Sequence, residues 1–201
     1  MAMQSMPVSR LRPTQIAVGK RLVELKRKDL RTFERRPQEL VDYIGAHPIR
    51  VVLGPKAHVF IIDHHHLGCA LSKEGFKTTP LSVEADYSAL GWAAFWQKLQ
   101  DQDWVHPFDG HGRKCAISKI PSSLGAMQDD PYRSLAGCVR LAGGFENTKM
   151  PYMEFLWADY FRPLVARGLL RADFAKALRR AKRLARAPQA RHLPGYLGHG
   201  F

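Results

Sequence analysis

The segment Val59-Phe60-Ile61-Ile62 runs directly into Asp63-His64-His65-His66 and then into Leu67, Ala70 and Leu71, and this junction constrains the fold more than any other part of the chain. Four consecutive β-branched or aromatic residues read as a buried strand. Leu67, Ala70 and Leu71 return at helical spacing, and Gly75 can supply the left-handed residue that closes a helix. Strand, turn and helix here make the central unit of the chain.

The strand has a partner just upstream. Ile49–Leu53 is a second β-branched run, and Gly54-Pro55-Lys56-Ala57 between the two reads as a hairpin connection. Met6–Arg12, partly alternating and closed by Pro13, predicts a short edge strand before a turn at Thr14, Gln15 and Gly19. Val18, Leu22, Val23, Leu25 and Leu30 predict a basic amphipathic helix ending before Thr32. Pro37 with Leu40, Val41 and Ile44 predicts a short helix stopped by Gly45 and Pro48. Pro80–Ala85 alternates as a strand, and Ser88 is placed to cap a helix carrying Leu90, Trp92, Phe95, Trp96 and Leu99.

Beyond Trp104 the chain is rich in Gly, Pro, Ser and His and predicts a long connection. Three helices should follow: Pro131–Ala142 capped by Asp130, Tyr152–Arg167 interrupted by Pro163, and Ala172–Ala187. The expected class is α+β, with a domain over residues 6–103, a connecting loop over 104–129, a helical extension over 130–187 and a tail over 188–201.

With 45% hydrophobic and 24% charged residues, the composition suits a folded core. The formal net charge of +13 favours anionic partners: nucleic acid, nucleotides or acidic surfaces. Much of it falls at Arg171, Lys176, Arg179, Arg180, Lys182, Arg183, Arg186 and Arg191, opposed locally only by Asp173. Phe174, Ala177, Leu178, Ala181 and Leu184 take the other side of that helix.

Cys69, Cys115 and Cys138 are widely spaced and contain no CxxC, which speaks against a disulfide framework or a zinc knuckle and fits a reducing cytoplasm. No apolar run approaches bilayer-spanning length, and Met1–Arg10 lacks a signal-peptide core. A soluble cytoplasmic protein without a membrane partner is therefore expected.

A helix start presents unpaired backbone N–H groups and the positive end of the helix dipole, so the turn from Asp63 through His64 to Leu67 and Gly68 is a cradle for phosphate. Asp63 can cap that helix, hold a phosphate-associated divalent cation such as Mg2+, or act as a base; spacing does not separate these roles. Three adjacent histidines point in different directions and do not all reach one metal ion. His65 and His66 are suited to moving a proton. His106–Gly112 reads as a flap in which Asp109 or His111 could titrate or coordinate. Asp130, Arg133, Glu154 and Asp159, on otherwise apolar helices, predict buried polar pairs.

Val59–Leu71, reading VFIIDHHHLGCAL, resembles the strand-to-helix signature of the ParB/sulfiredoxin superfamily: an apolar strand, Asp-Gly-x-His-Arg, then an apolar helix. Its Asp-His-His-His form is similar to the branch labelled ParB-like nuclease. Leu11-Arg12-Pro13-Thr14-Gln15 with Val18-Gly19 resembles the opening of that branch, and Trp157-Ala158-Asp159 resembles its second half. The resemblance runs from about Val8 to Arg167.

It implies a small mixed sheet with helices, followed by a helical extension. Asp63 and His66 match the acid and the histidine of the signature, while His64 replaces its glycine and Leu67 its arginine. The superfamily includes CTP-hydrolysing partition clamps, sulfiredoxins, free-serine kinases and members called nucleases, so the implied ligand is a nucleotide or nucleic acid. The implied chemistry is phosphoester hydrolysis or phosphoryl transfer, with a non-enzymatic nucleic-acid-binding module as the alternative. The catalytic cysteine of sulfiredoxins has His65 at its place here. Gln15, Lys20 and Lys26 lie where a first strand and helix would bring phosphate-binding groups toward Asp63.

Overall fold

The structure is a computed structural model that describes residues 4–148 and 150–198. The chain divides into two compact units. The first contains the chain through Val18 and Val23–Gln128; the second contains Gly19–Leu22 and the chain from Asp129 onward.

The first unit is built on strands β1 (Gln4–Pro7), β2 (Leu11–Pro13), β4 (Ile49–Gly54), β5 (His58–Ile61) and β6 (Thr78–Asp86), ordered β1-β6-β4-β5-β2. The two-residue strands β3 (Ala17–Val18) and β7 (Gln128–Asp129) stand where the chain passes between units. β4 and β5 form the expected antiparallel hairpin, with Val51 opposite Ile61 and Gly54 opposite His58. β2 runs parallel to β5, and β6 parallel to β4, so the sheet is mixed.

The single edge strand expected over Met6–Arg12 is two strands on opposite edges of the sheet, separated by a 3-10 turn at Val8–Arg10. The cause is local. Pro7 has no N–H to continue a ladder, and Val8 turns its side chain into the core while its N–H donates to Lys77 O. Four residues reach about 14 Å at most, whereas a flat five-stranded sheet is about 19 Å wide. The sheet therefore curls until its edges approach each other.

Alternation along β5 divides the core. Val59 and Ile61 face a cluster with Val8, Leu11 and Val51. That cluster also takes Val23 and Leu30 from α1 (Lys20–Arg31), Ile44 from α2 (Pro37–Ala46), and Leu67, Ala70 and Leu71 from α3 (His65–Lys73). Phe60 and Ile62 face the other way, onto Phe95 and Leu99 of α4 (Trp92–Asp101). A side chain at Gly54 would sit 2.8 Å from Phe60 and 2.9 Å from Phe95, so this corner needs glycine to let the aromatic rings close. Ser88 does not cap α4; its N–H donates to Asp86 Oδ1, and the helix starts four residues later, after Gly91. The long connection contains two 3-10 turns, Ile117–Lys119 and Leu124–Ala126, and buries Leu124 and Met127 in the first cluster.

The second unit is helical: α5 (Pro131–Leu141), α6 (Met153–Leu164), α7 (Arg167–Ala172) and α8 (Phe174–Arg186). Asp130 caps α5 through Tyr132 N–H as expected. The helix predicted to reach Arg167 stops at Leu164, because Pro163 in its last turn cannot extend the hydrogen-bond ladder, and α7 starts afresh. Trp157 stacks on Phe145 at 4.2 Å, and Ala177, Ala181 and Ala185 form the small-residue stripe buried on α8. Of the four residues expected in buried polar pairs, Arg133 bonds Glu154, and Asp130 bonds Arg162; Arg140 also reaches Glu154, and Asp159, whose side chain is 54% exposed, also bonds Arg162. The segment expected as a tail from 188 is tied down. Ala190 is buried, Trp157 Nε1 donates to Pro194 O, and Glu146 N–H donates to Gly195 O. Residues 199–201 of that segment lie outside the described residues. Among the described residues no helix is long and apolar enough to cross a membrane.

Candidate functional site

β5 ends at the buried Ile61, and after the buried Ile62 the chain emerges at Asp63, whose side chain is 55% exposed. The bend is made at His64, held in the left-handed region with φ 65° and ψ 28°. Residues with a Cβ resist that region, which gives a physical reason for glycine at the matching place of the signature. Two bonds hold His64 there. Its N–H donates to Asp63 Oδ1 at 2.6 Å, and Nδ1–H donates to Pro48 O at 3.1 Å.

His64, rather than Asp63, is therefore the residue that precedes α3, and the His64 side chain does not cap that helix. Asp63 stands one residue before the cap position of α3. Its Oδ2 faces Arg50 Nη1 at 3.8 Å, and Arg50 is itself bonded to Glu84 through Nε at 3.1 Å.

His65 is buried and serves as an anchor. Thr14 N–H donates to His65 Nε2 at 3.3 Å, while Thr14 Oγ1 donates to Ile61 O at 2.8 Å. With the hydroxyl proton committed to Ile61, Nε2 acts as acceptor and the ring carries its proton on Nδ1. Thr14 O also accepts from His106 N–H. Thr14 thus joins the end of β2, the end of β5, the first residue of α3 and the long connection. His66, one residue further into α3, is half-buried.

Leu67 is buried in the core beneath the turn, and Gly68 N–H is committed to His64 O at 2.9 Å. Neither the Leu67 side chain nor the Gly68 N–H is therefore offered to a ligand. Gln15 is buried and bridges to His106. Lys26 is directed elsewhere, its Nζ 3.2 Å from Tyr43 Oη and 3.5 Å from Asp29. Lys20 is exposed and belongs to the second unit, with its N–H on Asp129 Oδ1.

The predicted flap is closed by its own hydrogen bonds. Asp109 accepts from His111 N–H at 2.8 Å, Arg113 N–H at 3.0 Å and Arg113 Nε at 2.9 Å. Burial alone would raise its pKa, but the Arg113 N–H and guanidinium and the His111 N–H outweigh it and hold the carboxyl at about 2. Asp109 is thus the pivot of the loop, and His111 is exposed beside it. Among the described residues no three His, Cys, Asp or Glu side chains converge as a metal site.

Sequence reasoning passed over Thr14 and Arg50 as members of this neighbourhood. The signal for Thr14 lay in Leu11-Arg12-Pro13-Thr14-Gln15, where the residue after Pro13 has to leave the sheet edge. Arg50 carried no signal beyond alternation in β4.

A family model described as Putative ParB-like nuclease matches residues 4–163. The crystal structure of protein Atu1540 from Agrobacterium tumefaciens is 42% identical to this chain, covers 100% of both chains and superposes with a TM-score of 0.91. No curated protein matches. With the family match spanning most of the chain, including the Asp63 turn, the chain belongs to the Putative ParB-like nuclease family.

Proposed function

We propose that the turn Asp63–His66 binds a phosphate group of a nucleotide or nucleic acid and hydrolyses or transfers a phosphoester there. The observation that carries this reading is the exposed Asp63 carboxylate two residues before a nine-residue helix, 3.8 Å from the Arg50 guanidinium, in a family described as nucleases. Helix starts of this kind favour anions.

Asp63 would orient an attacking water, and His66 would receive or return a proton. Arg50, 3.8 Å from Asp63, would offset charge on the phosphate. His65, fixed by Thr14, positions the turn, and His64 sets its direction. A Mg2+ ion would be held by Asp63 and by oxygens of the phosphate itself, and would supply charge stabilisation when bound.

The test is a thermal-shift screen of the full chain with ATP, ADP, CTP, GTP and a short DNA duplex, with and without Mg2+, followed by turnover of whichever ligand stabilises it. The expected result is a stabilising ligand whose effect and turnover are lost in Asp63→Ala, with turnover reduced in His66→Ala. Unchanged binding and turnover in both folded variants would refute the assignment.

A non-enzymatic reading draws on a different surface. Lys176, Arg179, Arg180, Lys182 and Arg183 lie exposed on α8 and form no ion pair among the described residues. Such a row suits a nucleic-acid backbone. DNA binding that falls steeply with salt and ignores Asp63→Ala would favour it.

A further inference from the structure

The hairpin that carries Asp63 has a second end with a different chemistry. Its connection, Pro55–Ala57, holds both Lys56 and Ala57 in the left-handed region, with φ 57° and 56°, and Lys56 is exposed. His58 follows as the first residue of β5. The parallel register sets Leu11 against Val59 and Arg12 against Phe60, which brings Arg10 and Arg12 alongside this end of the strand. Arg10, Arg12 and Lys56 take part in no ion pair among the described residues. Their charge is felt at His58, whose pKa is lowered first by burial and then by Arg12, Lys56 and Arg10.

An aromatic ring lies beside these cations. Trp92, the first residue of α4, is 37% exposed, and its ring sits 5.7 Å from that of His58 at an interplanar angle of 33°. Edge contacts to Phe60 at 6.3 Å and Phe95 at 6.1 Å hold it from behind. A fixed, partly open indole costs little side-chain entropy when a flat ligand stacks on it.

Cations alone would suit any polyanion, and an open ring alone any flat apolar group. Single-stranded nucleic acid offers both, unpaired bases for the ring and phosphates for the cations, whereas a duplex keeps its bases inside. We propose that Trp92 and His58, with Arg10, Arg12 and Lys56, form a binding site for single-stranded nucleic acid. One base stacks on Trp92 and the adjoining phosphates face the three cations. His58 lies five residues before Asp63, about 17 Å along an extended strand, so this is a second site and not part of the Asp63 turn.

The experiment is fluorescence anisotropy of the full chain with labelled oligo-dT and with a duplex of equal length, across a salt series. The strand should bind more tightly than the duplex. Trp92→Ala should weaken strand binding about tenfold, while Trp92→Phe retains most of it and controls for folding. Arg10→Ala with Arg12→Ala should flatten the log–log salt slope by about 1.4. Absence of strand binding, wild-type binding by Trp92→Ala, equal affinity for the duplex, or displacement by polyglutamate as effective as by unlabelled oligo-dT would each overturn the proposal. Binding is read without turnover, so a failure of the Asp63 chemistry leaves this result standing.

Discussion

Thr14 N–H donates to His65 Nε2 across 51 positions of sequence, and the Thr14 hydroxyl donates to Ile61 O, so one buried threonine sets both the exit of β5 and the entry of α3. Thr14→Val keeps the shape but leaves Ile61 O without its partner, and should cost about 1–2 kcal/mol. His65→Ala removes a buried ring and should cost about 2–3 kcal/mol. Urea unfolding of the single and double variants should give a coupling of about 0.5–1 kcal/mol; strict additivity would show that the two side chains act separately.

The backbone of His64 supports a second prediction. Alanine there keeps the left-handed penalty and loses the bond to Pro48 O, while glycine loses the same bond and removes the penalty. His64→Gly should therefore be more stable than His64→Ala by about 1 kcal/mol in chemical denaturation. Equal stabilities would mean that the turn relaxes once the imidazole is gone.

The strand, turn and helix around Asp63 were legible because their signals are local: an apolar run, a polar break, then helical spacing. Gly75, with φ 76°, closes α3 in the way its position predicts, and Asp130 caps α5 for an equally local reason. Partnerships between distant residues were not legible. Nothing within Met6–Arg12 reveals that its halves pair with β6 and β5 on opposite sheet edges, since alternation looks the same in one strand or two. Ser88 precedes an apolar helix as a cap would, but Asp86 two residues earlier takes its N–H. The roles of Thr14 and Asp109 rest on hydrogen bonds that no periodicity encodes.

Asp109 gives a pH prediction with a definite sign. Its pKa of about 2 lies below the ordinary 3.8, so its contribution is complete above about pH 4 and is lost as pH falls toward 2. Asp109→Asn lacks the charge that Arg113 pairs with and should be less stable at neutral pH by about 2 kcal/mol. Melting temperatures of the two proteins should converge on acidification. A gap that stays constant down to pH 2 would show that the carboxylate charge is not what holds the loop.

The cysteines should differ in reactivity. Cys138 is buried, and burial pushes its thiol pKa up; Cys69 is buried with its Sγ toward Leu124 O and Met127 Sδ; Cys115 is only half-buried. Because the thiolate is the reacting species, a thiol reagent on the native chain should label Cys115 first, and all three only after denaturation. Rapid native labelling of Cys138 would indicate that α5 opens locally.

Asp130 is 1% exposed and performs two tasks in the second unit. One oxygen caps α5 through Tyr132 N–H at 2.9 Å, and the carboxylate receives Arg162 Nη2 at 2.9 Å. Arg162 is itself largely buried, so Asp130→Ala leaves its charge with Asp159 alone and opens the helix start. A loss of about 3–5 kcal/mol is expected, because removing one partner of a buried pair strands the other. Asp130→Asn retains an oxygen for the cap and should fall between the variant and the wild type in thermal unfolding. If Asp130→Ala costs less than about 1 kcal/mol, Asp159 has taken over the guanidinium, and Asp130 acts through the cap alone.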